Sequence, residues 1–227
     1  MLFDIDGTLI RRSGPAHREA LQYAARQVFQ VPATIDGIPV HGQLDTGILQ
    51  VMLRREGVPV REIRAAMPEL IRLTEERYAI HAPASLKANL CPGVENLLEG
   101  LRQREVPLVL VTGNFPSIGW RKLELAGIRD YFLGGAFAGM RSTRTALARY
   151  AIRRAKQQGW ATMDASIALI GDSPNDIAAA RANGIRSVAV ATGIDTLDEL
   201  RGHAPGVLVE TLYHLALDNL LCVEQPA

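Results

Sequence analysis

From about residue 85 onward, short apolar stretches alternate with helical segments, and this alternation constrains the fold most. The clearest apolar stretches are VPLVLV at 106–111, SIALIG at 166–171 and RSVAVA at 186–191. Helical patterns lie between and around them, at 93–104, 116–127, 142–158, 174–183 and 196–201, with further apolar runs at 132–138 and 206–209 before a last helix. Short strands rich in Val, Ile and Leu that alternate with helices are typical of a parallel sheet covered on both faces. The sequence therefore predicts an α/β protein with a doubly wound parallel sheet.

A first strand is predicted at the start of the chain, in LFDIDGTLI at 2–10, and a long helical segment separates it from the others. That segment, 13–84, contains helical patterns at 16–30, 44–56 and 60–80, of which we expect Pro68 to interrupt the third, and it shows no convincing strand. We therefore predict an all-helical cap domain at 13–84, inserted into a discontinuous core domain of residues 1–12 and 85–227. In doubly wound sheets, ligands bind at the carboxyl ends of the strands, so the cap is expected to cover those ends.

Composition narrows the possible partners and location. The 227 residues are 48% hydrophobic and carry a formal net charge of +1, with basic residues adjacent only as pairs. We expect neither nucleic-acid nor membrane binding from this pattern. Cys91 and Cys222 match no metal-binding spacing and are expected to be reduced thiols. Without a secretory signal or an apolar run long enough to span a bilayer, the protein is expected to be cytoplasmic.

Polar clusters directly follow three of the predicted strands. They are Asp4-Ile5-Asp6-Gly7-Thr8, Thr112-Gly113-Asn114 and Gly171-Asp172-Ser173-Pro174-Asn175-Asp176. Two aspartates that lie so close together repel each other and need a compensating cation. Because Mg²⁺ prefers oxygen ligands, carboxylates brought together from separate strand ends predict a magnesium and phosphoryl site.

The chain resembles the haloacid dehalogenase superfamily, in its phosphatase branch with a helical cap after the first motif (phosphoglycolate-phosphatase-like). DIDGTL matches the first family motif, VTGN the second and GDSPNDIAAARANG the fourth, while CPGVENLLEGL and KLELAGI resemble other family segments. The likeness covers essentially the whole chain. It implies a Rossmann-like core and a Mg²⁺-dependent phosphatase that hydrolyses a small phosphorylated metabolite through an aspartyl-phosphate, in a monomer or homodimer.

The resemblance also implies roles for the first and fourth motifs. Asp4 would be the nucleophile and a metal ligand, and Asp172 a second metal ligand. Asp6 would protonate the leaving alcohol and then activate water, while its backbone carbonyl binds the metal. Gly7 would allow a sharp turn, and Thr8 would hold the loop.

The phosphate group is expected at the second motif, where Thr112 would bind an oxygen through its hydroxyl, assisted by the amides of Gly113 and Asn114. Asp176 would hold a metal-bound water or orient a basic residue, unless it is an ordinary residue of a helix's first turn. Since dehalogenases of the family lack an acid at the position of Asp6, phosphate-ester chemistry is favoured over dehalogenation.

The usual lysine of the third family motif is missing from the start of helix 142–158. Lys156 lies at the wrong end of that helix, and we expect Lys122 to be a surface residue of another. Arg144 is favoured over Arg141 as the replacement because of its offset from the apolar positions of the helix, although both could be solvated. The first strand is also unusually short, which leaves a truncated start open.

The cap is expected to hinge near residues 12–15 and 82–84. Its loop HGQLDTGIL at 41–49 offers Gln43 and Asp45 as possible substrate contacts, with a simple helix–helix turn as an equal alternative. The histidines His17, His41 and His81 match no metal spacing and are expected to be surface or cap-packing residues. Phe115, beside the phosphate loop, could touch the substrate, although packing is the more common role, and Trp120 is expected in the core or between cap and core.

Three other functions stay open on the sequence alone. A phosphomutase would share the nucleophile and acid but return the phosphoryl group to a second hydroxyl. A phospho-acceptor signalling domain also has acids at strand ends, although its acidic pair is usually adjacent and it lacks an inserted cap. A catalytically impaired binding protein of the same fold is the third, because the usual lysine is missing.

Overall fold

A single parallel sheet organises the protein. The computed structural model describes residues 1–11, 14–217 and 220. Within these residues, six strands lie in the order β3-β2-β1-β4-β5-β6, and every neighbouring pair is parallel. Their bounds are Leu2–Phe3 (β1), Val109–Val111 (β2), Gly134–Ala136 (β3), Ala168–Gly171 (β4), Arg186–Val190 (β5) and Val207–Val209 (β6).

The first strand is central and as short as expected. β1 has two residues and pairs with β2 on one side and β4 on the other. Its pairing extends by one hydrogen bond at each end, from Asp4 N to Ile170 O (3.0 Å) and from Val109 N to the Met1 carbonyl (3.0 Å). Buried apolar side chains on both faces of these strands explain why the sequence shows apolar runs rather than alternation.

Helices cover both faces of the sheet, which confirms the predicted fold class. In the sheet unit they are Val94–Gln103 (α4), Pro116–Ala126 (α5), Arg144–Gln157 (α6), Pro174–Ala182 (α7) and Leu197–Gly202 (α8). Short 3₁₀ turns lie at Lys87–Asn89, Arg129–Tyr131 and Leu212–His214. Most of the predicted last helix falls outside the described residues, as does Cys222, whereas Cys91 is buried.

Between β1 and the rest of the sheet unit lie three helices: Ala16–Phe29 (α1), Asp45–Arg55 (α2) and Val60–His81 (α3). The described residues of this segment form no strand, as predicted, and we call α1–α3 with their connecting loops the cap. Within the first predicted hinge, Arg12 and Ser13 lie outside the described residues.

The expected interruption at Pro68 is wrong, because α3 runs through it as one helix of 22 residues. Pro68 is exposed, so the carbonyl that loses its hydrogen bond can be solvated. Buried Ile63 and Leu70 on either side anchor the helix against the rest of the cap, and this packing outweighs the cost of the proline. Among the described residues, no helix is both long and apolar enough to cross a membrane.

Candidate active site

The loops that follow β1, β2 and β4 meet under the cap and enclose a cavity of about 230 Å³. The sheet unit contributes both aspartates of the first motif and parts of the other two polar clusters, and the cap contributes polar and apolar side chains from α1, α2 and the loop before α2. The three sequence clusters therefore do converge, as predicted.

Arg144 connects the first motif to the fourth. It begins α6 directly after Thr143, whose side chain caps the helix, and it is buried. Its Nη2 atom lies 2.7 Å from Asp4 Oδ1 and 2.6 Å from Asp176 Oδ1. Asp176 also accepts a hydrogen bond from Ser173 Oγ (2.7 Å), so the contacts of Asp176 are those of a residue that orients Arg144.

Arg141, the alternative to Arg144, does not reach the first motif. It is exposed, donates to the Met140 carbonyl and lies 4.3 Å above the ring of Tyr150. Of these two arginines, Arg144 is the one that contacts Asp4, and its role in place of the usual lysine stays a prediction.

Asp172 is buried in a tight environment. Thr8 Oγ1 donates a hydrogen bond to its Oδ1 atom (3.0 Å), while its Oδ2 atom has no hydrogen-bond partner. Gly7 has φ +88°, and a Cβ on either Gly7 or Gly193 would overlap the Asp172 carboxylate. Glycine is therefore required at Gly7 both for its left-handed backbone and for this close approach.

Three buried carboxylates offer oxygens to a cation. Asp4, Asp172 and Asp176 each present an oxygen within 4.8 Å of the others. Burial raises the pKa of Asp4 to about 6 despite the attraction of Arg144, and burial followed by the charge of Asp4 raises the pKa of Asp172 well above its usual range. An unpartnered buried oxygen on Asp172 in an all-oxygen donor set fits a hard cation such as Mg²⁺.

The second motif forms a turn stabilised by its own side chains. Asn114 donates to Thr112 Oγ1 from its backbone nitrogen (3.3 Å) and from Nδ2 (2.6 Å). Because the Thr112 oxygen accepts twice, its own hydrogen remains available to donate. Gly113 and Asn114 line the cavity, and a Cβ on Gly113 would overlap the Gln43 carbonyl of the cap loop.

Lys122 contradicts the expectation of a surface residue, because it is only 1% exposed. Its Nζ atom lies 2.7 Å from both carboxylate oxygens of Asp6 and 2.7 Å from Asn114 Oδ1. The sequence carried a signal for this position: Lys122 is four residues from both Ile118 and Ala126, which are buried on the same face of α5.

The electrostatic environment of Asp6 differs from that of Asp4. Burial alone would raise the pKa of Asp6, but the Lys122 ammonium beside it holds the pKa below its ordinary value. The Asp6 side chain is 38% exposed and lines the cavity. The two carboxylates of DIDGTL therefore occupy one cavity with separate cationic partners.

Two cap histidines contact acidic side chains. The expectation that they are surface or packing residues did not include these contacts. His17 Nε2 lies 3.0 Å from Asp45 Oδ2, and His17 Nδ1 lies 3.3 Å from Lys122 Nζ. His41 Nε2 lies 2.8 Å from Asp195 Oδ2 and 3.7 Å from Asp172 Oδ2. No local sequence signal marks these contacts, since each joins residues from distant segments.

The cap loop at 41–49 and the aromatic residues near it match some of the expectations from the sequence and differ from others. Asp45 lines the cavity, but its Oδ2 atom is engaged by His17 and by the Phe115 backbone nitrogen (2.9 Å). His81 is exposed, Phe115 is buried, and Trp120 packs against Phe137 at 5.2 Å, as expected. The cap loop is more than a simple turn, because Asn175 Nδ2 also donates to the Gly42 carbonyl (3.0 Å).

The fold and the cavity define a class of protein. It is a doubly wound α/β protein with an inserted helical cap and aspartates at the ends of its strands. Residues 1–184 match the model of the haloacid dehalogenase-like hydrolases, and the chain belongs to this family. The match confirms the resemblance seen in the three motifs.

Individual relatives give the same assignment. The chain is 28% identical over 213 residues to phosphoglycolate phosphatase of Synechococcus elongatus, covering 93% of this chain and 92% of that protein. It is 25% identical over 238 residues to phosphoglycolate phosphatase 1 of Pseudomonas aeruginosa, covering all of this chain and 80% of that one. These relatives confirm the expectation of an enzyme, a phosphatase of the haloacid dehalogenase type.

Solved structures share the fold. The β-phosphoglucomutase of Clostridium difficile superimposes with a TM-score of 0.70 at 18% identity, covering 96% of this chain and 93% of that one. CbbY from Rhodobacter sphaeroides in complex with phosphate gives a TM-score of 0.68 at 21% identity, covering 95% of each chain.

Proposed function

We propose that the protein is a Mg²⁺-dependent phosphatase that hydrolyses a small phosphate monoester through an aspartyl-phosphate on Asp4. The observation that carries this proposal is the division between Asp4 and Asp6. Both face one cavity, yet Asp4 contacts Arg144 and Asp6 contacts Lys122. Two carboxylates in different environments can perform two different tasks.

In the first step, a carboxylate oxygen of Asp4 attacks phosphorus as the bond between phosphorus and the ester oxygen breaks, and Asp6 gives its proton to the leaving alcohol. In the second step, a water attacks phosphorus and gives a proton to Asp6, while the bond between phosphorus and the Asp4 oxygen breaks, which releases inorganic phosphate and restores the Asp4 carboxylate. The lowered pKa of Asp6 supports the second role in particular, because it favours the ionised form that accepts a proton.

The carboxylates of Asp4 and Asp172 and the backbone carbonyl of Asp6 would hold the magnesium ion. The ion would neutralise the charges of the phosphate and of the carboxylates that meet it. Asp176 would act through Arg144, because its carboxylate already accepts from Arg144 and Ser173.

The phosphate oxygens would be bound by the second motif and by Arg144. The free hydroxyl hydrogen of Thr112 and the backbone amides of Gly113 and Asn114 are suited to donate to them, and the buried Arg144 guanidinium supplies positive charge. These donors are fixed before substrate binds, which is the arrangement that stabilises charge in a transition state.

The substrate would be a small phosphorylated metabolite, since the cavity is partly covered by the cap and measures about 230 Å³. A phosphoglycolate-type ester is the first choice because of the names of the relatives. We further propose cap boundaries at 13–84, core segments 1–12 and 85–227, a cytoplasmic location and a monomer or homodimer.

Phosphate release from a panel of small esters tests the proposal, with Mg²⁺ and with chelator. The panel compares the wild type with Asp4→Asn, and with Asp164→Asn at an exposed position as the matched control. We expect turnover that needs Mg²⁺, is lost in Asp4→Asn and is unchanged in the control. An isomerised sugar phosphate without net phosphate release would establish the phosphomutase instead.

A further inference from the structure

Lys122 lies at the wall of the cavity and is only 1% exposed. Its three ammonium hydrogens have three nearby acceptors: the Asp6 carboxylate (2.7 Å), Asn114 Oδ1 (2.7 Å) and His17 Nδ1 (3.3 Å). Lys122 is 1% exposed, whereas the side chain of Asp6 is 38% exposed. Substrate can therefore reach Asp6 but has no unused donor of Lys122 to bind.

The contact with Lys122 determines which ring nitrogen of His17 accepts a hydrogen bond. An ammonium group can only donate, so His17 Nδ1 must accept and the ring proton must lie on Nε2. That proton faces Asp45 Oδ2 at 3.0 Å, and the same Asp45 oxygen accepts from the Phe115 backbone nitrogen at 2.9 Å. A continuous set of hydrogen bonds thus runs from Asp6 through Lys122 and His17 to Asp45.

This set of hydrogen bonds joins the cap to the sheet unit. His17 is in α1 and Asp45 begins α2, whereas Lys122 is in α5 and Asp6 follows β1. The backbone of Asp45 also donates to the Gly113 carbonyl (2.8 Å), which holds the start of α2 against the phosphate loop. The third acceptor of Lys122 is therefore present only when the cap is docked.

Packing alone does not require a lysine at this position. The neighbouring buried residues on α5, Ile118 and Ala126, are apolar, and a methionine would fill the same stripe without a buried charge. Buried ammonium groups are costly unless they are paired, and here the pairing is with the carboxylate proposed to move protons. The pairing with Asp6 therefore accounts for a charged residue at this buried position.

We propose that Lys122 is a positioning residue that holds Asp6 for proton transfer, and that His17 and Asp45 complete its contacts when the cap docks. This inference rests on the proposed function, because it assigns Lys122 a task only if Asp6 transfers protons. It makes the orientation of Asp6 depend on contacts that the cap supplies through His17.

Steady-state kinetics of Lys122→Met and His17→Leu test the proposal, with Lys87→Met at an exposed position as the matched control. Proton transfer by a positioned side chain contributes about 10²–10⁴-fold, so we expect kcat of Lys122→Met to fall by ~100-fold while KM stays within ~3-fold. For His17→Leu we expect a fall of about 5-fold in kcat, and for Lys87→Met no change. A Lys122→Met enzyme with wild-type kcat, or with only KM raised, would overturn the proposal.

The second measurement does not depend on activity. The chain has three lysines, Lys87, Lys122 and Lys156, so ¹⁵N-labelled lysine gives a simple ammonium NMR spectrum. We expect one signal protected from hydrogen exchange, absent in Lys122→Met, strongly shifted in Asp6→Asn and less protected in His17→Leu. If Lys122→Met fails to fold, the Asp6→Asn and His17→Leu spectra decide the result.

The two experiments separate the possible failures. A wild type inert on every ester refutes the proposed function and with it the catalytic task of Lys122, while the NMR spectrum still establishes or refutes the contact with Asp6. An active wild type whose lysine spectrum shows no protected signal, or a signal that ignores Asp6→Asn, refutes the positioning role alone.

Discussion

Replacing the proposed nucleophile should stabilise the metal-free protein. Burial raises the pKa of Asp4 to about 6 from an ordinary value of 3.8, so the folded state disfavours the charged carboxylate even with Arg144 beside it. A shift of ~2 pKa units corresponds to about 3 kcal/mol. Asn cannot ionise, so Asp4→Asn removes this cost while keeping a similar shape.

The sign of the pH dependence follows from the raised pKa. Below an unfolded pKa of 3.8, Asp4 is protonated in both states and carries no penalty. Between pH 3.8 and about 6, Asp4 ionises in the unfolded state but stays protonated in the folded state, so the free energy of unfolding of the wild type falls as the pH rises. Asp4→Asn has no group that ionises at this position and keeps its stability. We therefore expect no advantage of the variant near pH 4 and a full advantage of up to ~3 kcal/mol at pH 7.5.

Urea unfolding in the presence of chelator measures this difference. At pH 7.5 we expect a higher midpoint for Asp4→Asn, which in thermal unfolding corresponds to a rise of about 6–12 °C for a protein of this size. Saturating Mg²⁺ should reduce the advantage, because it compensates the charge in the wild type only. Asp164→Asn, at the surface, should behave like the wild type. A variant less stable than the wild type at pH 7.5 without metal would refute the reasoning.

Other substitutions test the geometry of the site. Gly7→Ala should lower the free energy of unfolding by about 1–3 kcal/mol in urea titrations, because Gly7 has φ +88° and a Cβ would displace Asp172; an unchanged midpoint contradicts this. Arg144→Met should cost about 3–5 kcal/mol in the same assay, since it leaves the buried carboxylates it contacts unpaired, whereas Arg141→Met should be neutral. Equal effects of the two arginine variants would count against the assignment of Arg144.

Much of the site could be predicted because its residues lie in short continuous motifs. Asp4, Thr112 and Asp172 directly follow strands, and parallel strands bring their carboxyl ends to the same edge of a sheet. Arg144 was favoured over Arg141 from its offset to the apolar positions of the helix, and in the structure it lies against Asp4. The order of elements alone was sufficient for the fold class.

The rest could not be predicted because it depends on tertiary contacts. Lys122 and Asp6 are separated by 116 positions, and a lone lysine in a helix is far more often exposed than buried. The contact between His17 and Asp45 depends on how the cap helices dock. Proline does disfavour a helix locally, but at Pro68 the packing of the cap on both sides of the exposed proline outweighs this preference.

The central claim is that Asp4 carries the phosphoryl group during turnover. Acid quenching during steady state, followed by mass spectrometry of the N-terminal peptide, tests it directly in the wild type and in Asp6→Asn. We predict one phosphoryl group on Asp4 of the wild type. Occupancy should be higher in Asp6→Asn when the ester has a leaving group that needs no proton, because only the second step then lacks its proton-transfer residue. Phosphate release with no phosphoryl group on Asp4 in either protein would contradict the account.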